Sequence, residues 1–221
     1  MCGRYSLRDP ERAFLEFSVL ERSPSIQPRC NIAPTQLVPV VRSDAEHGRH
    51  IDSLKWGLMS RRGGRPIIMV RLESLGRGAF ATSFRSRRCI LVADGFYEWE
   101  QRGKQRVPHY IHRTDDAPLA LAGIWEPGDP PTCSVITKPA VAPILDLHDR
   151  MPATVARADY ERWLDPSLND SEVVAGLLSS DIGADLAVDE VSPCVNSAAH
   201  DDPNCIEPAP GSGTQEKLRL R

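Results

Sequence analysis

Short apolar runs, separated by turns rich in Gly, Pro and Asp, recur along the whole chain. Several of them alternate with polar positions or are rich in β-branched and aromatic residues, which is typical of β-strands. Few stretches have the three-to-four-residue periodicity of an amphipathic helix. The predicted strands are 2–7, 37–41, 53–58, 67–73, 87–93, 96–99, 107–112, 119–125, 133–137 and 189–192.

The helices that the pattern predicts are short. Asp9 is a candidate N-cap, and Pro10 fits the first position of a helix that continues to about residue 20. Two more helices are predicted, over 159–164 and 171–179. Many short strands with few helices predict an α+β fold, a mainly antiparallel, barrel-like sheet with flanking short helices. The positions of the first helix expected to face inward are Phe14, Leu15 and Phe17 or Val19.

The chain of 221 residues is long enough for one domain with a sizeable core. We expect a single domain over residues 1–203 and a flexible tail over 204–221, where the chain becomes polar and rich in Pro and Gly. No apolar run approaches the length of a membrane span, and the first residues lack a signal-peptide pattern. These features predict a monomer without a membrane partner, cytoplasmic in a bacterium or nuclear in a eukaryote.

The net charge of −3 conceals an asymmetry. Residues 1–113 carry 20 Lys and Arg against 11 Asp and Glu, whereas residues 114–221 carry 7 against 19. Nine of the basic residues, eight of them Arg, lie between Lys55 and Arg88, where Glu73 is the one acid. Arg pairs with phosphate bidentately, so this basic block indicates a nucleic acid or another polyanion. A solvated surface face is the simpler explanation of a charge run.

The six cysteines, at positions 2, 30, 89, 133, 194 and 205, form no C-x-x-C pair, and no His lies at a zinc-finger offset. We expect reduced thiols, with Cys89 and Cys133 buried in strands. The sequence shows no phosphate-binding Gly loop, metal-ligand cluster or serine-hydrolase elbow. It therefore predicts neither a metal nor a cofactor.

Cys2 directly follows the initiator Met, and its small side chain permits removal of that Met. Processing would leave an α-amine and a thiol on one residue. The amine is partly neutral at physiological pH and can form a Schiff base with an aldehyde, after which the thiol can close a thiazolidine ring. An incidental residue on a frayed terminus is the alternative.

Two further residues are candidates for proton transfer. Glu98 lies between aromatic residues on a predicted strand, where burial would disfavour its ionised form and suit a proton donor or shuttle. Strand alternation also allows Glu98 to face solvent, with Tyr97 and Trp99 inward. His148 can exchange protons at neutral pH, although a lone His is more often structural.

Five segments occur in a recognisable order. They are Met-Cys-Gly-Arg-Tyr at 1–5, Asn-Ile-Ala-Pro-Thr at 31–35, Trp-Gly-Leu at 56–58, Arg-Cys-Ile-Leu-Val-Ala-Asp-Gly-Phe-Tyr-Glu-Trp at 88–99 and His-Asp-Arg-Met-Pro at 148–152. Together they resemble the SOS-response-associated peptidase family, whose members shield abasic sites in single-stranded DNA. The resemblance covers residues 1 to about 200, and the first and fourth segments are specific only in combination.

The resemblance implies that self-removal of Met1 exposes Cys2, which forms a thiazolidine with the ring-opened abasic sugar in single-stranded DNA. The implied activities are autopeptidase and DNA–protein crosslinking, with lyase-like chemistry as a further option. Glu98 matches the acidic residue of proton transfer, and His148 matches the histidine that assists ring opening and holds the sugar. The residues that match DNA contacts are Arg4, Asn31, Pro34, Arg71 and Arg150.

Two departures from the family pattern bear on this chemistry. The family usually has Asn-Ala-Arg-x-Glu-Thr where this chain has Met-Val-Arg-Leu-Glu-Ser at 69–74. Met69 thus replaces an Asn that would hydrogen-bond near the reacting Cys, and Met cannot donate. After Leu58 the family has a Pro and a base-stacking aromatic, whereas this chain has Met-Ser-Arg-Arg at 59–62. Arg can also stack and pair with phosphate, so binding would depend more on salt.

Three functions remain open on the sequence. The first is covalent capture of abasic sites. The second is an N-terminal-nucleophile peptidase or amidase, which would use Cys2 and Glu98 without needing the basic block. The third is a non-covalent single-stranded-DNA-binding protein whose chemistry is weakened by Met69.

Overall fold

The computed structural model describes residues 3–17, 26–59, 63–178 and 182–209, so Met1 and Cys2 lie outside the described residues. The helices are α1 (Pro10–Glu16), α2 (Leu72–Leu75), α3 (Ala81–Ser86), α4 (Tyr160–Leu164) and α5 (Ser171–Gly176). The strands are β1 (Tyr5–Leu7), β2 (Arg29–Ile32), β3 (Leu37–Asp44), β4 (Gly48–Trp56), β5 (Met69–Arg71), β6 (Arg88–Ala93), β7 (Gly95–Arg102), β8 (Gln105–Arg113), β9 (Leu119–Glu126), β10 (Thr132–Pro139), β11 (Arg150–Pro152) and β12 (Leu186–Glu190).

Five strands close into a barrel. Strand β4 pairs with β3, β3 with β6, β6 with β9, β9 with β10, and β10 returns to β4. All of these pairs are antiparallel except the last one. Strands β5 and β11 extend the sheet from the other half of β10, in parallel and antiparallel directions respectively. The predicted α+β fold with a mainly antiparallel, barrel-like sheet is confirmed.

A second, wholly antiparallel sheet has the order β12-β8-β7-β1-β2. Asp94 separates β6 from β7 and so marks the point where the chain leaves the barrel for this sheet. Gly95 is required here, because a Cβ would lie 2.5 Å from the ring of Tyr110 and 2.6 Å from the carbonyl oxygen of Ile111. The break that the sequence shows in the middle of a long apolar run is therefore a corner between two sheets.

Apolar cores lie on both faces of the five-stranded sheet. On one face Tyr5 and Phe96 join the main core, which they share with barrel residues such as Trp56. Side chains alternate between the faces of a strand, and β7 is therefore buried on both sides over its first half. The smaller core on the other face consists of Cys30, Tyr97, Tyr110, Val191, Val195 and Cys205.

Helix α1 begins where the sequence predicts, but the side that it buries differs from the predicted one. The Asp9 carboxylate accepts a hydrogen bond from the N–H of Arg12 at 3.0 Å, and Pro10 is the first helical residue. The prediction that Leu15 faces inward was wrong, since 78% of it is exposed. With 3.6 residues per turn, the buried positions Ala13, Phe14 and Phe17 share one side of the helix, and Leu15 lies outside it. Val19 lies outside the described residues.

Two boundaries differ from the expected ones. Strand β5 ends at Arg71, because Leu72 begins α2, so the strand expected over 67–73 is shorter. Packing also continues beyond the expected domain boundary at residue 203. Cys205 is fully buried, and the N–H of Ala209 donates to the carbonyl oxygen of Glu190 at 3.0 Å. Residues 210–221 lie outside the described residues. None of the described helices is long and apolar enough to cross a membrane.

Candidate active site

Glu98 is buried on the face of β7 that looks towards the barrel. Its residue exposure is 1%, so the alternative in which it faces solvent is excluded. Because strand residues alternate, Glu98 shares its face with Phe96 of the main core, whereas Tyr97 and Trp99 point to the smaller core. Strand β7 therefore holds a carboxylate in the space between the two sheets.

The start of the described chain lies beside Glu98. Strand β1 runs antiparallel to β7 with Tyr5 opposite Phe96, and the N–H of Tyr97 donates to the carbonyl oxygen of Arg4 at 3.0 Å. Continued by two residues beyond Tyr5, this register places Gly3 beside Glu98. Gly3 is the last described residue before Cys2, which itself lies outside the described residues.

Arg4 is fixed by Asn31 and by the chain that follows β12. Its Nη1 donates to the Asn31 Oδ1 and to the Val195 carbonyl oxygen, both at 2.8 Å, and partial burial lowers the pKa of Arg4. The Asn31 Nδ2 donates to the carbonyl oxygens of Ser197 and His200 at 3.0 and 2.6 Å. Asn31, predicted to line a DNA groove, is completely buried, and its side chain holds the guanidinium of Arg4. The half-buried Pro34 follows β2.

The Nδ1 ring nitrogen of His148 lies close to a backbone N–H and to a carboxylate oxygen. Its Nδ1 lies 2.9 Å from the N–H of Arg150 and 2.8 Å from a carboxylate oxygen of Asp149. In the hydrogen bond that the structure shows, Nδ1 accepts from the N–H of Arg150. This contact fixes the orientation of the ring, and the Asp149 carboxylate lies beside it. The other nitrogen, Nε2, has no hydrogen-bond partner among the residues that the structure describes.

Arg150 is neutralised by a carboxylate. Its Nη1 and Nη2 lie 2.6 and 2.9 Å from the two carboxylate oxygens of Glu73, and Nη2 also donates to the Thr137 carbonyl oxygen at 2.6 Å. The hydrogen bonds from Arg150 lower the pKa of Glu73. Arg150 was predicted to be a DNA-binding residue, and in the structure its guanidinium pairs with Glu73.

Arg71 ends β5 with an exposed side chain. Its backbone pairs with Thr137 of β10, which pairs in turn with Pro152 of β11. In the described parts of the chain no ion pair engages Arg71, so its guanidinium is available to an anion. Met69 lies two residues earlier on the same face of β5, half-buried and opposite Val135.

Two aromatic rings join the sheet of Glu98 to the sheet of Arg71. Tyr5 lies on the Glu98 face of the five-stranded sheet, and its ring contacts that of Trp56 at a centroid distance of 5.4 Å. The indole Nε1 of Trp56 donates to the carbonyl oxygen of Ile68 at 2.9 Å, immediately before β5. A continuous series of contacts thus connects the two groups of candidate residues.

Residues 1–198 match the sequence model of the SOS response associated peptidase (SRAP) family. The chain belongs to the SRAP family. Abasic site processing protein YoqW of Bacillus subtilis is 30% identical to it, over 94% of this chain and 99% of YoqW. Abasic site processing protein YedK of Escherichia coli is 28% identical, over 78% of this chain and 83% of YedK.

Solved structures share the fold of this SRAP chain. A protein from Bacteroides thetaiotaomicron has a TM-score of 0.78 over 94% of this chain and 100% of its own, at 19% identity. A phage-related protein from Bordetella bronchiseptica has a TM-score of 0.74 over 86% of this chain and 94% of its own, at 22% identity. At these identities the likeness concerns the fold alone.

The basic block of this SRAP domain contains both structural and exposed arginines. Arg88 is buried, which lowers its pKa to about 10, and it donates to the carbonyl oxygens of Phe84 and Trp163. Arg87 pairs with Glu126 at 3.0 Å. Both hold α3 and its neighbours against the barrel and are unsuited to binding a polyanion. The exposed members are Arg65, Arg71, Arg77 and Arg85, and Arg61 and Arg62 lie outside the described residues.

Sequence reasoning missed two residues that shape the SRAP site. Thr137 presents its carbonyl oxygen to Arg150, and Asp201 accepts hydrogen bonds from the N–H groups of Cys30 and Asn31 at 2.7 Å. Both contacts depend on tertiary packing, for which the local hydrophobic pattern carries no signal.

Proposed function

We propose that this SRAP protein captures abasic sites in single-stranded DNA covalently, through a thiazolidine at Cys2 that forms after self-removal of Met1. Its relatives YoqW and YedK carry the name abasic site processing protein. The observation that carries the proposal is the register of β1 against β7, which brings the start of the described chain to the buried Glu98.

The proposed chemistry has three balanced steps. Water first hydrolyses the Met1–Cys2 peptide bond, releasing Met and leaving the α-amine of Cys2. This amine then condenses with the aldehyde of the ring-opened sugar, forming an imine and releasing water. Finally the Cys2 sulfur adds to the imine carbon while its proton passes to the nitrogen, which closes the five-membered ring.

Glu98 and His148 supply the proton transfers in this proposal. A buried carboxyl group beside the reacting amine can take a proton from it and return one to the departing water. The Nδ1 of His148 accepts from the N–H of Arg150, and this bond orients the ring so that Nε2 can assist opening of the sugar ring. The proton transfers proposed for these two residues use no metal ion.

Arg71 is the proposed phosphate contact. It is exposed, without an ion-pair partner in the described ranges, and lies on the strand reached from Tyr5 through Trp56. Arg4 would supply a second contact from a position fixed by Asn31. Phosphate contacts on either side of the abasic site would position the sugar without any dependence on the DNA sequence.

The test is incubation with single-stranded DNA that carries one abasic site, followed by a denaturing gel and by intact-mass analysis of the protein. The wild type should lose one Met and form a band that survives denaturation. Cys2→Ala should form none, and Glu98→Gln should lose both Met removal and crosslinking. Glu100→Gln is the matched control, since Glu100 lies on the same strand but is more exposed and pairs with Arg102.

The outcomes separate the three functions left open by the sequence. A wild type that has lost Met1 but forms no band does not capture abasic sites covalently. If such a protein still binds the DNA, and Cys2→Ala binds equally well, it is a non-covalent binder. An N-terminal-nucleophile hydrolase would instead depend on Glu98 but be indifferent to Arg71→Ala.

A further inference from the structure

A cluster of metal-ligating side chains lies behind Arg4 and Asn31, in the segment that covers the outer face of the five-stranded sheet. Cys194 belongs to one 3₁₀ turn, Pro193–Asn196, while Asp202 caps and Cys205 ends a second one, Pro203–Cys205. One ligand atom from each of these three side chains lies within 4.8 Å of the others. The chemistry proposed for Cys2 uses none of them.

The spacing of the two sulfur atoms fits a shared metal ion. The Sγ atoms of Cys194 and Cys205 are 3.8 Å apart. Two thiolates on a tetrahedral zinc ion, each at about 2.3 Å, are separated by about 3.8 Å. A disulfide would require the sulfur atoms to approach to about 2.05 Å. The observed separation of the sulfur atoms therefore matches two ligands of one zinc ion and is longer than a disulfide bond.

We propose that Cys194, Asp202 and Cys205 form a zinc site, with His200 or a water molecule in the fourth position. Two thiolates and a carboxylate are a donor set that zinc accepts. His200 lies between the two cysteines in the chain, and its Nδ1 is 3.2 Å from the carbonyl oxygen of Cys194. The four residues follow the pattern C-x5-H-x-D-x2-C, which no zinc-finger spacing describes.

Metal binding at this site releases protons. Both thiols must lose a proton to become ligands. The apparent zinc affinity should therefore rise with pH.

The site would fix the acceptors that hold Arg4. The chain between Cys194 and Cys205 supplies the carbonyl oxygens of Val195, Ser197 and His200, which bind the side chains of Arg4 and Asn31. A zinc ion that ties the two 3₁₀ turns together would limit the motion of these acceptors. The predicted role is thus structural, and it stabilises a residue of the proposed DNA-binding surface.

The test uses the full chain, stripped with a chelator under reducing conditions and titrated with Zn²⁺ against a chromophoric competitor. One equivalent should bind, and Cys194→Ser should weaken binding at least about tenfold. Co²⁺ should give thiolate charge-transfer absorption in the wild type, and this absorption should fall in Cys194→Ser and Cys205→Ser. Asp202→Asn should weaken binding, and His200→Ala shows whether His200 or water is the fourth ligand.

The control is His47→Ala, because His47 lies in an exposed turn with Asp44 and His50 that can bind metals non-specifically. Cys194 is only partly buried, so Cys194→Ser keeps the test valid if Cys205→Ser does not fold. Absence of binding overturns the proposal. The proposal is also overturned if one equivalent binds and Cys194→Ser does not change the affinity. A disulfide between Cys194 and Cys205 in the protein as isolated would overturn it as well.

Discussion

Arg150 and Glu73 form a bidentate ion pair, with N–O distances of 2.6 and 2.9 Å. The Arg150 side chain is only 11% exposed and also donates to the carbonyl oxygen of Thr137. Its charge is therefore matched inside the protein. Arg71, two residues before Glu73, has an exposed side chain, and no ion pair is found for it in the described chain.

Arg71→Ala should consequently lower the affinity for single-stranded DNA and reduce the salt dependence of binding. Loss of one phosphate contact on a single strand lowers the slope of log affinity against log salt by about 0.7. Glu73→Gln should strengthen binding, because it leaves the Arg150 charge unmatched. Binding isotherms at several salt concentrations measure both effects. Arg77→Ala, which removes another exposed arginine, is the control, and an equal change in its slope would contradict a specific role for Arg71.

The apolar pattern was sufficient to predict the fold class, because each strand of the barrel is a local run of apolar residues. It also predicted that Glu98 lies on a strand, but it left open which face of the strand Glu98 occupies, and the packing of the two sheets decides this. The partners of charged residues were not predictable in this way. Arg150 meets Glu73 across 77 residues, and Asn31 meets His200 across 169. Such contacts depend on how the sheets pack, and the local pattern does not show them. Asn31 and Arg150 were predicted to bind DNA, and in the structure both have hydrogen-bond partners within the protein.

Asn31→Ala should destabilise the protein by about 2 to 3 kcal/mol, because it leaves buried carbonyl oxygens and the Arg4 guanidinium without their amide partner. Asn31 is completely buried and donates to three carbonyl oxygens after β12. Urea unfolding measures the loss. Asn196→Ala removes an exposed amide whose oxygen accepts from Trp99, and it should cost about 1 kcal/mol or less. Equal losses in the two variants would contradict the role assigned to Asn31.

The contact between His112 and Asp189, which joins β8 to β12, should make stability depend on pH. The hydrogen bond from His112 to Asp189, at 3.0 Å, raises the pKa of His112. A raised pKa in the folded state contributes stability that is complete below the unfolded value of about 6.5 and is lost as pH rises through the folded value. Asp189→Asn should therefore destabilise the protein at pH 6, by about 1 kcal/mol, and much less at pH 9.

Thermal unfolding at the two pH values measures this difference. Asp185→Asn provides the control, because Asp185 lies 4.0 Å from Arg113 and this pair contains no histidine. Its effect on stability should be the same at the two pH values. A loss in Asp189→Asn that is equally large at pH 9 would show that the contact does not depend on the His112 proton.

Met69→Asn should accelerate crosslinking, provided that Cys2 captures abasic sites as proposed. Met69 is half-buried on the face of β5 that it shares with Arg71, at the position where the SRAP pattern has Asn. An amide there would restore a hydrogen-bond donor towards the opened sugar. One such bond in the transition state is worth about 1.4 kcal/mol, or about tenfold in rate. Single-turnover crosslinking measures this rate, with Met69→Leu as the control that changes shape without adding a donor. An equal acceleration by Met69→Leu would assign the effect to packing and not to hydrogen bonding.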